Sequence, residues 1–122
     1  MLKYLLPVAV MLCAAPAVAQ YVGPAGAPEG VSPGYPLTTV AEIKADPRDD
    51  ANVTLEGFLI RQIDRETYVF RDDTGEIEVE IDEDDFPRQP VSETTRVRIE
   101  GEVDTHRLRD TDIDADRVMI LE

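Results

Sequence analysis

From Asn52 onward, apolar residues recur at every second position. Val53, Leu55, Gly57 and Leu59 alternate with Thr54, Glu56, Phe58 and Ile60, which predicts a strand with one face on a core. Tyr68-Val69-Phe70 predicts the centre of a second strand. Ile77, Val79 and Ile81 alternate with Glu76, Glu78, Glu80 and Asp82, predicting a third strand with one wet face. Val97, Ile99, Gly101 and Val103 predict a fourth. A fifth runs from Ile113 to Ile120, and its alternation slips near Ala115–Arg117, where an irregularity is expected. The joints agree: Asp72-Asp73-Thr74-Gly75 is a tight-turn signal, and residues 82–95, with Pro87 and Pro90, make a longer connection with room for one helical turn. Gly57 and Gly101 sit inside strands, where glycine marks a sharp bend or a close backbone approach.

Before the strands the rhythm differs. Thr39 and Glu42 have the spacing of a capping box, and Val40 and Ile43 share one face of a short helix that Asp46-Pro47 ends. So short a helix must dock on the rest of the chain. Residues 21–36, YVGPAGAPEGVSPGYP, carry neither period and read as a flexible linker or a loosely docked arm. Five short strands with a long connection after the third fit an all-β, five-stranded OB-fold (Greek-key) barrel with a short N-terminal helix. A β-sandwich is the runner-up, but it usually needs about seven strands.

The start of the chain reads as a leader. Lys3 precedes an apolar run from Leu5 to Ala15, and Ala17-Val18-Ala19 is a small-x-small cleavage site. The run is too short to span a membrane, which takes roughly 20 apolar residues. Cys13 raises a lipoprotein alternative, but Leu12 stands where a lipobox has a small residue. The expected organisation is therefore a signal peptide over 1–19, a Pro/Gly-rich linker over 20–37 and an OB-fold domain over 38–122. Cleavage would remove the one cysteine, leaving an exported, periplasmic protein without disulfides that is not embedded in the membrane.

Charge narrows the partners. The formal net charge is −14, with 26 acidic against 12 basic residues, and the leader would take Lys3 with it. Nucleic-acid binders neutralise phosphates with Lys and Arg, so this balance argues against nucleic acid. It is compatible with simple solubility, or with affinity for cations or basic partners.

The stretch VTLEGFLIRQIDRETYVFRDDTGEIEVEIDEDDF (Val53–Phe86), followed by VRIEGEVD (Val97–Asp104) and IDADRVMIL (Ile113–Leu121), resembles the bacterial OB-fold (BOF) family of periplasmic stress-tolerance proteins, the YgiW/YdeI type. The capped TTVAEIKA segment also fits that pattern. The resemblance implies an OB-fold in the periplasm, no known catalytic activity and a link to tolerance of oxidative, metal or envelope stress. It supplies no catalytic or ligand residues.

Candidate chemistry falls into three groups. In OB domains, strands two and three and the loops after strands one and four make the binding face. If Tyr68 and Phe70 point inward, that face has no aromatic platform; if Val69 does, both rings are available to a ligand. The basic residues Arg61, Arg65, His106, Arg107 and Arg109 fall in or beside those two loops and are candidates for a small anion or carboxylate ligand. Local balance with Asp64, Glu66, Asp104 and Asp110 is the plainer reading. The acidic positions Glu76, Glu78, Glu80 and Asp82, the run Asp82–Asp85 and the alternating Asp110, Asp112, Asp114 and Asp116 invite a metal. None matches the EF-hand pattern, and alternation on one strand gives a row of carboxylates rather than a cage, so a solvated face is the plainer reading. With one histidine and no nucleophile beside a base, catalysis and a cofactor have no support. The expected partner is a small ligand, a cation or an envelope protein.

Overall fold

The computed structural model describes residues 30–121. The expected signal peptide and its cleavage site lie outside the described residues. The elements, in order, are α1 (Val40–Ala45), β1 (Asn52–Gln62), β2 (Thr67–Asp72), β3 (Gly75–Glu80), a single 3-10 turn η1 (Glu83–Asp85), β4 (Arg96–Asp104) and β5 (Asp112–Ile120). The strands close in the order β1-β2-β3-β5-β4, and only the β3–β5 seam is parallel. This is the five-stranded barrel that the alternation predicts.

β1 makes the closure possible because it serves two neighbours. Its first half pairs with β4, from Asn52 opposite Glu102 to Phe58 opposite Arg96. Its second half pairs with β2, with a register shift between Leu59 and Arg61. Gly57 stands at the changeover, where a Cβ would run into the carbonyl of Arg71 and the ring of Phe70. Gly101 plays the same part on β4 against the backbone of Asp114 and Ala115. Beside it the β4–β5 register jumps: Glu100 faces Arg117 and Gly101 faces Ala115, so Asp116 is the extra residue of a bulge. That bulge is the phase slip visible in the sequence.

The inward positions of all five strands meet in one core. Leu55, Phe70, Val79, Ile99 and Ile113 are fully buried, each contributing about 1.5–3 kcal/mol relative to exposure. Tyr68 shares the inward parity of Phe70 and stacks on Phe86, ring centroids 5.2 Å apart.

α1 closes one end of the barrel with Val40 and Ile43. Its cap Thr39 accepts from the Glu42 amide, and Thr38 Oγ1 donates to the Glu42 carboxylate at 2.9 Å. Asp72 joins helix to sheet. Its Oδ2 accepts from the Val40 amide at 2.9 Å, while Oδ1 accepts from the Thr74 amide, the Thr74 hydroxyl and the Gly75 amide. Burial raises this carboxyl, but the donors outweigh it and hold the group below the usual aspartate value.

The end of the Pro/Gly-rich stretch is docked. The Pro36 carbonyl accepts from the Thr54 amide, the Tyr35 carbonyl accepts from the buried Thr54 hydroxyl at 2.6 Å, and Leu37 bridges Thr54 in parallel. Ser32 Oγ donates to the buried Glu100 carboxylate at 2.6 Å, and Tyr35 donates to Asp116 at 3.0 Å. Residues 32–37 are therefore an arm held on the barrel by specific polar partners, not free linker.

Candidate functional site

Strand pairing turns rows of acid into a field. β5 runs between β4 and β3, and its outward aspartates meet outward acids on both sides. Asp114 stands opposite Glu102 on β4 and opposite Glu80 on β3. One step along, Asp112 stands opposite Asp104. Like charges directly across a ladder destabilise a sheet. Among the described residues, no arginine or lysine forms an ion pair with any of these five carboxylates. Three of them, Glu80, Glu102 and Asp114, hold their protons above the usual carboxylate range. Burial, then the charges of Asp114, Asp112 and Glu66, push Glu80 up, with Arg109 opposing. Asp116 is the first cause of a raised Glu102, followed by burial and by Asp50, Asp114 and Asp104. Asp114 is raised by burial and then by Asp116, Asp104, Asp112 and Asp85.

His106 lies at one end of this field. Its Nε2 is 2.9 Å from Asp112 Oδ1 and 3.7 Å from Asp104 Oδ2. The loop that carries it is pinned by Asp49, whose Oδ1 accepts from both the amide and the hydroxyl of Thr105 at 2.9 Å.

A cleft of about 400 Å³ adjoins this end, between the outer face of β2–β3 and the β4–β5 loop. Val69 and Ile77 contribute apolar surface, Glu76, Glu78, Asp110 and Asp112 contribute carboxylates, and Lys44, Arg61 and Arg109 contribute cations. Among the described residues no aromatic lines this cleft. Tyr68 points to the core side and Phe70 is buried, leaving only Val69 of the three central β2 residues on the outer face.

The basic residues proposed to converge are divided by the structure. Arg61 and Arg109 meet at the cleft. Arg65 turns to Glu83 of η1, with Nη2 at 2.7 Å, and so ties the β1–β2 turn to the connection after β3. His106 is engaged by Asp104 and Asp112, and Arg107 is exposed on the loop outside the cleft lining. The acidic candidates divide as well. Glu76 and Glu78 face the cleft, opposite Arg71 and Val69 of β2; Glu80 joins the carboxylate field; Asp82 accepts from the Asp84 amide and caps η1. Asp104 and Glu102 were not among the sequence candidates. Only the β4–β5 register brings them opposite Asp112 and Asp114, and nothing in a single strand's alternation carries that register.

The comparisons with known proteins agree with this architecture. Residues 21–120 match the family model described as bacterial OB fold (BOF) protein. Protein YgiW of Escherichia coli K12 is 36% identical over 113 residues, covering 85% of this chain and 86% of that one. The solved structure described as the hypothetical protein YgiW from E. coli superimposes with a TM-score of 0.65 at 32% identity, covering 84% of this chain and 99% of that one. The calcium-regulated OB-fold protein CarO of Pseudomonas aeruginosa is 42% identical over 69 residues. That match covers 57% of this chain and spans 60% of CarO's length.

Proposed function

This chain belongs to the bacterial OB fold (BOF) family, and on that premise we propose an exported, non-catalytic binding protein that takes up a divalent cation on the outer face of β3–β5–β4. One observation carries the reading: Glu80, Asp114 and Glu102 form a transverse row of carboxylates in register, with Asp104 and Asp112 beside it. An oxygen-rich, negatively charged surface suits a hard cation such as Ca²⁺, which takes carboxylate oxygens and waters together. The description of CarO as calcium-regulated favours Ca²⁺ as the first ion to try. The same surface repels phosphate, and among the described residues no aromatic lines the cleft, which supports a ligand other than nucleic acid.

The test is thermal unfolding after chelation, with Ca²⁺ added against sodium chloride at matched ionic strength. A ligand that binds only the folded state adds about 2.7 kcal/mol at 100 times its dissociation constant. A saturable rise in the midpoint with Ca²⁺ is the expected result. Equal, non-saturating rises with both salts would mean that the ions merely screen charge, and the reading would fail.

A second reading places a small charged ligand in the cleft. It is favoured by Lys44, Arg61 and Arg109 gathering at one spot of a very acidic chain, without ion-pair partners among the described residues. Replacing Arg61 and Arg109 with alanine would abolish uptake of a ligand held there and leave the Ca²⁺ response in place.

A further inference from the structure

We propose that Asp104, His106 and Asp112 form a distinct site for a borderline divalent metal ion of the Zn²⁺ class. This rests on the cation reading above and assigns a metal chemistry to one end of that face.

Asp104 is the last residue of β4 and Asp112 the first of β5, and the two are register partners, so their side chains leave the same face of the ladder together. His106 follows Asp104 by two residues and folds back over the pair. One donor atom from each residue lies within 4.8 Å of the other two. The link between Asp104 and His106 is held, because Thr105 donates twice to Asp49. Two of the three are largely buried: the side chains of His106 and Asp112 retain 19% and 14% exposure, and Asp104, at 47%, is the open side of the set. A partly desolvated nitrogen and two carboxylate oxygens, preheld by neighbouring backbone, are what a compact metal site needs before the ion arrives.

The donor types choose the ion. Ca²⁺ and Mg²⁺ are bound by oxygen, whereas imidazole nitrogen suits Zn²⁺, Ni²⁺ and Cu²⁺. Three protein donors leave a fourth position of a tetrahedral site for water, the arrangement zinc adopts where its shell stays open. Binding would replace the His106–Asp112 hydrogen bond by two metal bonds and relieve the opposition of Asp104 to Asp112. The carboxylate row of Glu80, Asp114 and Glu102 has no nitrogen donor, so the two ends of one acidic face would discriminate between ion classes.

The experiment is calorimetric titration of the chelator-treated protein with Zn²⁺ and, separately, with Ca²⁺, using wild type, His106→Ala and Asp112→Asn. Zn²⁺ is expected to bind wild type at one saturable site, and each variant to lose affinity by at least about tenfold. Ca²⁺ uptake by His106→Ala is expected to match wild type. Because His106 is the chain's one histidine, the ring nitrogens give an independent readout: Nε2 should shift strongly on Zn²⁺ addition in the nitrogen-15 spectrum of the unaltered protein. Zn²⁺ binding unchanged by His106→Ala, or an unmoved Nε2 at saturating Zn²⁺, would overturn the proposal while leaving the Ca²⁺ reading intact. Failure of both ions to bind would remove both.

Discussion

Two sides of the same barrel treat their carboxylates in opposite ways. On the β1–β4 side, Glu56 is clasped by Arg98 at 2.7 Å and by Arg96 at 3.2 Å, and the Glu56 and Arg98 side chains keep only 17% and 13% exposure. The neighbouring Glu100 is buried beneath the arm and accepts from Ser32. On the β3–β5–β4 side, Asp114 faces Glu102 and Glu80, and Asp112 faces Asp104. The strand β4 contributes to both. Acidity alone therefore does not separate the two sides. Compensation does: one set of carboxylates is satisfied by the chain itself, whereas Glu80, Asp114 and Glu102 face one another with no arginine or lysine ion pair among the described residues. Sites that break a local rule of sheet pairing without internal compensation are where function is expected.

Breaking the compensated side should have the largest effect. Glu56→Ala removes the carboxylate that accepts from both Arg98 and Arg96 and should cost about 2 kcal/mol in denaturant unfolding. That cost should be insensitive to Ca²⁺. The matched change on the other side has the opposite sign. Asp114→Asn removes a charge that is repelled from both flanks, and should raise the unfolding midpoint by about 2 °C in low salt. The gain should fade in high salt, as screening of a surface repulsion requires. It should also fade in Ca²⁺, where wild type loses the same repulsion by binding.

Acid should sharpen the contrast further. Glu80, Glu102 and Asp114 carry raised folded values, so the folded state holds more protons than the unfolded one between the ordinary carboxylate value and those raised values. Stability should therefore rise as the pH falls through that window. Asp49, Asp64 and Asp72 carry lowered values, so their contribution is full above the ordinary value and is lost only below it. The two tendencies place a shallow maximum near the ordinary carboxylate value, where the gain is complete and the loss begins. Saturating Ca²⁺ should flatten the rise between neutral pH and that maximum, which melting curves across the pH range would record.

Much of the frame was legible because strand alternation reports burial directly. Val53, Leu55 and Leu59 read as inward and are inward; the slip near Ala115–Arg117 read as an irregularity and is the Asp116 bulge. Gly57 and Gly101 read as points of close approach, and backbone does approach them there. The parity of Tyr68 and Phe70 could be posed only as a choice, because a three-residue stretch fits either face until its neighbours are known. The candidate face was less legible still. A row such as Asp112, Asp114 and Asp116 says what one strand presents, and only pairing says what it is presented to. Arg65 was grouped with the cleft because its loop belongs there, yet its partner Glu83 comes from a connection whose path no alternation encodes. The arm was legible only as one of two alternatives, for a similar reason: Ser32 and Tyr35 are ordinary polar residues in a Pro/Gly-rich stretch until Glu100 and Asp116 are placed beneath them.

The most direct measurement is a Ca²⁺ titration followed residue by residue through the backbone amide resonances, at constant ionic strength. Saturable shifts should gather on the row of Glu80, Asp114 and Glu102, with Glu56, Arg96 and Arg98 on the compensated side unmoved. Shifts that are linear in Ca²⁺, or spread equally over both sides, would contradict the cation reading and reduce the carboxylate face to a solvated surface.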